Sequence, residues 1–320
     1  MQVITDLSSS PWPSSPDGRA TRSVVTIGAY DGVHLGHQAI IHEVRRLAAS
    51  LSARSVVITF DRHPASVVRP ESAPKLLTDL DQKLELLAET DIDATVVIHF
   101  DADQSHESPM SFVERVLVGC LGAERLVVGE DFHFGRNREG NVALLRDLGA
   151  RFDFQVEPLD LVPRADGVDE PLSSTAIRRA MAGGQVELAM CMLGRPFQAR
   201  GVVMHGDQRG RLLGFPTANV QVPGSACLPA DGVYAGWYLR PDGTRQPCAI
   251  NLGRRPTFYE HADHSLLEAH LLDFSGDLYD EAARVEFTNF LRSERKFDGI
   301  DALVSQLKHD VDHARGVLTR

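Results

Sequence analysis

An α/β domain on a parallel sheet, followed by a small antiparallel β-barrel that ends in a helix, is the fold class this sequence predicts. Three observations predict it. Apolar strand-like runs alternate with helical patterns up to about residue 195. Beyond that point, short strand-like stretches follow one another, broken by Gly and Pro. One helical pattern then closes the chain, from about Ile300 to Leu318, with Leu303, Leu307 and Val311 as its apolar stripe.

In the first half, Val24–Ile27, Ser55–Phe60, Thr95–Phe100, Arg125–Gly129 and Phe154–Val156 read as buried strands. Helical patterns lie between them at Gln38–Leu51, Gln82–Thr90, Met110–Leu121 and Asn141–Leu148. A βαβ rhythm of this kind implies a parallel sheet covered by helices on both faces. Ligands of such sheets bind at the C-terminal ends of strands. The loops Gly28–His37, Asp61–Pro64 and Glu130–Arg136 all follow strands and are expected to converge on one cleft. In the second half the strand-like stretches are Gly201–His205, Thr217–Val222, Gly232–Leu239, Cys248–Leu252, Leu266–Leu272 and Arg284–Phe287. Many short strands with one late helix suggest a small barrel. The joint falls at the helical stretch Gln185–Leu193, which ends at Gly194-Arg195-Pro196. The expected domains are therefore 1–190 and 191–320.

A chain of 320 residues is long enough for two domains of ordinary size. Its 43% hydrophobic and 24% charged content are those of a soluble globular protein. No apolar run approaches the roughly 20 residues of a membrane span, so no membrane partner is expected. Residues Met1 to Ala20 lack the basic start and apolar centre of a secretory signal. Their Ser-Pro clusters, Ser8-Ser9-Ser10-Pro11 and Ser14-Ser15-Pro16, suggest a loose N-terminal arm. Cys120, Cys191, Cys227 and Cys248 are scattered without a CxxC pair. That spacing speaks against zinc ribbons and disulfide frameworks and for a reducing cytoplasm. A net charge of −11 argues against broad nucleic-acid binding, which needs a basic footprint. Small-molecule substrates and a monomer or weak homo-oligomer are expected. Anionic substrates would be held by local basic groups, backbone N–H groups and a metal ion.

The run Gly28-Ala29-Tyr30-Asp31-Gly32-Val33-His34-Leu35-Gly36-His37 stands where a strand turns into a helix. Free N–H groups and the positive end of the helix dipole make that junction an anion site. His34 and His37 are three apart and share a face once the helix has begun. Two imidazoles there suit a polyphosphate that develops charge as it leaves; the bland alternative is a Gly-rich turn with surface histidines. Asp61-Arg62-His63-Pro64 puts His63 beside the same cleft, or is simply a turn. Asp131 either orients a ligand N–H or caps its turn, and Phe132 and Phe134 either stack on a ring or fill core. In Ser173-Ser174-Thr175-Ala176-Ile177-Arg178, a serine is a natural N-cap, and Thr175 and Arg178 share a helix face. Hydroxyls, a helix start and an Arg fork make a phosphate clamp; a cap with an exposed Arg is the plainer reading. No GxxxxGK[ST] occurs, which excludes a P-loop enzyme. The HxGH and SSTxxR pair resembles the HIGH-type nucleotidyltransferases, a Rossmann-like group in which the two motifs hold ATP while its α-phosphate is attacked.

In the second half, Gly206, Gly210 and Gly214 let backbone close around a phosphate chain. Thr217 and Asn219 are two apart and face the same way on a strand. A hydroxyl beside an amide oxygen suits Mg²⁺ or phosphate. In Leu266-Leu267-Glu268-Ala269-His270-Leu271, Leu267, Ala269 and Leu271 face one way, and Glu268 and His270 the other. Near Mg²⁺ and ATP, Glu268 can accept a proton from an attacking hydroxyl; a solvated strand-face Glu is the commoner use.

From about Val24 to Arg315 the chain resembles the bacterial bifunctional riboflavin kinase/FAD synthetases. The carriers are GAYDGVHLGH, TFDRHP, VVGEDFHFG and LSSTAIR, then GRLLGFPTAN, PADGVYAGWY, NLGRRPTF, LEAHLLDF and Phe290-Leu291-Arg292 with Lys296-Phe297. The resemblance implies a C-terminal module that phosphorylates riboflavin to FMN with ATP. It implies an N-terminal module that transfers AMP from a second ATP to FMN, giving FAD and pyrophosphate. His34 and His37 become catalytic phosphate-binding residues, joined by Gly28, Asp31, Ser174, Thr175 and Arg178. His63 and Asp131 lie on the flavin-phosphate side. Gly206, Gly210, Gly214, Thr217 and Asn219 bind ATP in the kinase, with Thr217 and Asn219 toward a Mg²⁺ that arrives with ATP. Glu268 becomes the general base, and Arg292 falls in a loop bordering the flavin.

Departures from the family pattern are small. Tyr30 replaces the usual Phe, Arg62 stands where Pro is common, and Arg254-Arg255 is doubly basic where the family varies. Three other readings compete. A lone riboflavin kinase with a first domain turned binding module would not need His34, His37, Ser174 and Arg178. Another HIGH-type adenylyltransferase, such as one acting on pantetheine phosphate, has no use for the Pro-Thr-Ala-Asn segment or Glu268. A non-enzymatic flavin binder would turn over no ATP.

Overall fold

The computed structural model describes residues 1–12, 21–160, 162–206, 209–253 and 266–319. It falls into two compact units, Met1–Ser173 and Ser174–Arg320. The first holds a six-stranded sheet. Its order is Gln2–Ile4, Ala94–Ile98, Arg54–Phe60, Ser23–Ile27, Ala123–Gly129, Gln155–Leu159. Every neighbouring pair is parallel.

Period-two alternation explains why both faces are covered. Val25, Ile27, Val56 and Ile58 pack with Phe112, Leu117 and Leu145 on one side. Val24, Val57 and Val127 pack with Ile41, Val44 and Leu87 on the other. Successive strand residues point to opposite faces, so a run apolar at every position needs helices above and below. The chain winds outward from Ser23–Ile27 to Ala94–Ile98, then crosses back to place Ala123–Gly129 on the other side of Ser23–Ile27. In open α/β sheets, ligands bind at such a reversal, outside the C-terminal ends of the two strands. The loops beginning at Gly28 and Glu130 both leave from there.

Two sequence-based expectations need correction in this unit. Residues 1–12 are not a loose arm. Gln2–Ile4 adds an edge strand, pairing Gln2 with Ala94 and Ile4 with Val96. Leu7 and Trp12 pack on the core, and Trp12 Nε1 donates to the Leu121 carbonyl at 3.4 Å. Three residues with a single buried side chain give too short a pattern to be seen by alternation. Ser14-Ser15-Pro16 lies outside the described residues. Met110–Leu121 is not one regular α-helix. An α turn, Pro109–Phe112, runs into a π-helical stretch, Val113–Cys120. The last strand, Gln155–Leu159, runs beyond Val156 and tolerates Pro158 because it is an edge.

The second unit is a closed antiparallel barrel. Its order is Ala218–Gln221, Leu266–Leu271, Arg245–Gly253, Gly232–Leu239, Ala282–Arg292, Phe197–Met204, returning to Ala218–Gln221. Helix Ile300–Leu318 lies on it through Val311, Ala314, Val317 and Leu318, against Ala235, Ala249, Leu272 and Leu291. Helices Ser174–Ala182 and Val186–Leu193 pack on each other, and the second also packs on the barrel. Glu187 Oε1 accepts the Phe290 N–H at 2.9 Å. Three strands outrun the apolar pattern: Phe197–Met204, Arg245–Gly253 and Ala282–Arg292. Their ends carry Arg, Gln, Asn and Thr on outward positions, which hid them. Arg292 is therefore the last residue of a strand and does not stand in a loop.

Candidate active sites in the two units

In the first unit the Gly28–His37 turn is held in a conformation its side chains resist. Tyr30 and Val33 have φ of 51° and 39°, in the left-handed region. Such backbone costs about 1–3 kcal/mol per residue and persists only where its surroundings over-determine it. Here they do. The Asp31 carboxylate is buried and accepts from the N–H groups of Leu77 and Thr78 at 3.0 Å and from the Thr78 hydroxyl at 3.2 Å. Gly32 N–H donates to Thr78 Oγ1 at 3.0 Å. Tyr30 Oη and Thr26 Oγ1 lie 2.7 Å apart. Gln38 Nε2 donates to the Val33 carbonyl at 3.0 Å. Burial drives the Tyr30 phenol above its ordinary pKa, so it remains neutral.

The helix begins at Leu35, one residue after His34. His34 is its N-cap: Nδ1 accepts the His37 N–H at 3.3 Å. The two imidazoles stack at 3.6 Å with 19° between planes, and Tyr30 lies 4.8 Å from His37. Gly36 makes this possible, because a Cβ there would come 3.1 Å from His34 Nδ1. Gly28 N–H is taken by the Ile58 carbonyl at 3.0 Å. His63 Nδ1 accepts at 3.1 Å the N–H of Ala65, the first residue of the short helix after it. Asp131 is exposed. Phe132 and Phe134 stack on each other at 5.6 Å and pack against the core. Arg62 pairs with Asp61 at 3.3 Å.

Sequence reasoning missed Lys83 in this unit. It is 7% exposed, on helix Leu80–Ala88. Nζ donates to Phe60 O at 2.7 Å, Thr59 Oγ1 at 3.1 Å and Ala29 O at 3.2 Å. The available signal was its place four residues before the buried Leu87, on one helix face.

In the second unit, helix Ser174–Ala182 starts at Ser174, which leaves Ser173 at the cap position. Its Ala176, Ile177, Ala180 and Met181 are buried, Thr175 is exposed, and Ser174 and Arg178 are half-buried.

The barrel carries a cavity of about 460 Å³. Gly210, Thr217, Asn219, Glu268 and Arg292 all line it. Register explains the grouping. Asn219 is opposite Glu268, and Glu268 is opposite Asn251, on three adjacent strands. Their neighbours Ala218, Val220, Leu267, Ala269, Ile250 and Leu252 are buried. The polar row therefore faces outward from the barrel core, into the cavity. Asn251 Nδ2 donates to Glu268 Oε2 at 3.4 Å. Asn251 was invisible in the sequence because nothing in its own segment shows which strand it would adjoin.

Glycines shape the approach. A Cβ on Gly206 would strike the Asn219 amide, and one on Gly210 would strike the Phe215 carbonyl. Gly214, at φ 85°, closes the turn before Phe215. His270 Nδ1–H donates to the Pro216 carbonyl at 2.7 Å and so fixes the backbone just before Thr217. Asp207, Gln208 and Arg254-Arg255 lie outside the described residues. On the far wall Arg292 is gripped by Asp310 of the last helix, with N–O distances of 2.7 to 3.1 Å. Leu303, Leu307 and Val311 line the cavity beside it. Burial, then the Asp231 carboxylate, push the Glu294 carboxyl above its usual range, with Arg292 opposing.

A parallel α/β unit with a histidine-capped helix at its switch point, joined to a barrel with a hydroxyl, two amides and a carboxylate at one cavity, has the build of a two-module phosphate-transferring protein. Comparison with known proteins narrows this. Residues 17–176 match the family described as FAD synthetase, and residues 193–318 match riboflavin kinase. A bifunctional riboflavin kinase/FMN adenylyltransferase of Pseudomonas fluorescens is 40% identical over 294 residues, 92% of each chain. One from Listeria monocytogenes is 36% identical over 299 residues, 93% of each, and one from Escherichia coli 36% over 292 residues, 91% of each. A crystal structure titled macrolide-efflux protein, from Streptococcus pneumoniae, superposes with a TM-score of 0.83 at 28% identity, covering 98% of both chains. Among the described residues no helix is long and apolar enough to cross a membrane. The chain belongs to the bifunctional riboflavin kinase/FMN adenylyltransferase family.

Proposed function

We propose that this chain carries out both reactions of its family, riboflavin to FMN and FMN to FAD, with the residue roles that follow. The observation that carries the kinase half is the row Asn219–Glu268–Asn251 beside Thr217 in one cavity. The riboflavin 5′-hydroxyl oxygen attacks the γ-phosphorus of ATP, the bond to the β,γ-bridging oxygen breaks, and ADP leaves. Glu268 takes the hydroxyl proton. Thr217 and Asn219 offer neutral hard oxygens, which fit a Mg²⁺ brought by ATP. The ion would neutralise phosphate charge as the bond breaks. Arg292, fixed by Asp310, borders the flavin.

In the second reaction an FMN phosphate oxygen attacks the α-phosphorus of ATP and pyrophosphate leaves. His34 and His37 at the helix start stabilise the departing charge, and the family motif assigns Gly28 to the same ATP. The motif assigns Ser174, Thr175 and Arg178 to phosphates of the same ATP. His63 and Asp131 serve the FMN phosphate. Asp31 enters this scheme through its hold on residues 77 and 78, which keeps the turn in place. The free thiols of Cys120, Cys191, Cys227 and Cys248 suit a reducing cytoplasm. We place the enzyme there, as a monomer or weak homo-oligomer. The test is direct: purified protein with riboflavin, ATP and Mg²⁺ yields FMN and then FAD by chromatography. Failure to form either product overturns the reading.

Domains 1–190 and 191–320 are proposed to carry the two activities separately. A fragment from Ser174 to Arg320 keeps the Glu187 bond to the barrel. It is expected to convert riboflavin to FMN and to make no FAD. FAD from that fragment would remove the two-site assignment.

Both reactions are expected to need Mg²⁺, which enters with the nucleotide. Titration calorimetry without ATP is expected to show weak or undetectable Mg²⁺ binding. Thr217→Ala with Asn219→Ala is expected to weaken Mg²⁺–ATP use by the kinase and to spare FMN adenylylation. Stoichiometric tight Mg²⁺ in nucleotide-free protein, or normal kinase in the double variant, would displace the metal from these residues.

A further inference from the structure

We propose that Lys83 is a positioning residue of the FMN adenylyltransferase, fixing the Ala29 carbonyl at the head of the Gly28–His37 turn against the end of the neighbouring strand. The inference rests on the assignment of that turn to ATP. Lys83 occupies all three ammonium donors: on Ala29 of the turn, and on Thr59 and Phe60 where the strand Arg54–Phe60 runs into Asp61–Pro64. Thr59 Oγ1 also donates to Ala29 O at 3.1 Å, which closes a triangle of hydrogen bonds. The two loops assigned to the nucleotide and to the FMN phosphate are thereby tied through one side chain.

The same short segment grips the turn a second time. Leu77 and Thr78, just before the Lys83 helix, hold Asp31 and Gly32. Residues 29, 31 and 32 are thus all fastened to residues 77–83. They bracket Tyr30, and Val33 follows directly; these are the two non-glycine residues of the turn held at positive φ. A turn that stores strain relaxes when its fastenings are cut. The histidines begin one residue further on, so relaxation would move them. A misplacement of about 1 Å at a reacting centre costs roughly 10²-fold in rate.

The ammonium is also close to losing a proton. Burial lowers its pKa to about 8, while the carboxylates of Asp31 and Asp61, the charged groups that act on it, pull it upward. A neutral amine has two donors and one lone pair, which leaves one of its three acceptors facing a lone pair. The turn therefore loosens as pH rises through about 8. The effect of this group on folding has the opposite sign. Its folded pKa lies below the ordinary lysine value of about 10.4. Between the two values the unfolded chain binds more protons, so Lys83 adds stability as pH rises. Falling FAD formation in that window is then not unfolding driven by Lys83.

The experiment follows FMN adenylylation from pH 6.5 to about 9.5 in the full chain, with riboflavin phosphorylation as the internal reference. Wild type is expected to show an alkaline limb near pH 8 in FAD formation that the kinase lacks. Lys83→Met keeps the stem and removes the donors. It is expected to lower kcat/KM for FMN adenylylation about 10²-fold, to lose the limb and to leave kinase activity in place. Thr59→Val removes one acceptor of the ammonium and is expected to move the limb to lower pH. If Lys83→Met prevents the first unit from folding, the wild-type limb and its shift in Thr59→Val decide. A Lys83→Met enzyme with wild-type rate and profile overturns the proposal, as does a limb that Thr59→Val leaves unmoved. His37→Ala, run alongside, separates the two levels. FAD formation unchanged in that variant overturns the assignment of the turn; FAD formation lost there but intact in Lys83→Met overturns the role of Lys83 alone.

Discussion

His37→Ala is expected to lower FAD formation from FMN about 10²–10³-fold while riboflavin is still phosphorylated to FMN. One preorganised donor aimed at developing charge is worth that much in comparable sites. The structure makes the substitution clean. His34 caps the helix through the backbone N–H of residue 37, and alanine keeps that N–H. Only the ring stacked on His34 is lost. The helix start and its dipole stay in place, so the loss reports the imidazole itself. Steady-state conversion of supplied FMN and ATP to FAD measures it. An unchanged rate would make His37 a packing residue.

Glu268→Gln is expected to slow riboflavin phosphorylation by about 10²–10⁴-fold, the usual worth of general-base assistance. FMN adenylylation is expected to continue at the parent rate. The amide keeps the size of the carboxylate and retains an oxygen for Asn251 Nδ2 to donate to. The strand register opposite Asn219 and Asn251 is a backbone matter and does not depend on the charge. What disappears is the basic oxygen proposed to take the hydroxyl proton. Separate assays with riboflavin and with FMN distinguish the two halves. Parent-rate phosphorylation would leave Glu268 a spectator.

Much of this architecture was legible because its elements follow simple periods. Val24-Val25 and Val56 to Ile58 are apolar at consecutive positions, as a strand buried on both faces requires. Glu268 and His270 alternate with Leu267 and Ala269, and both polar residues line the cavity as that alternation requires. What stayed hidden depends on distant pairing. Gln2–Ile4 is a strand only because Ala94–Val96 offers it an edge. Lys83 looks like a surface lysine until the carbonyls of Ala29 and Phe60 are brought to it. Asp31 reads as a ligand for substrate, yet its oxygens are taken up by residues 46 and 47 positions away. The resemblance puts Arg292 in a loop, whereas the strand Ala282–Arg292 carries it, and its partner Asp310 lies on the far side of a charged stretch.

The grip of Asp310 on Arg292 has a consequence for how the protein is made. On a ribosome the barrel strands emerge before the helix that completes their cavity, and the whole first unit emerges before either. With the roles proposed above, the module that supplies FMN is the last to be completed, and the module that consumes it the first. Synthesis runs opposite to chemistry. A chain arrested short of Asp310 would hold a finished adenylyltransferase unit that depends on FMN made by other, complete copies.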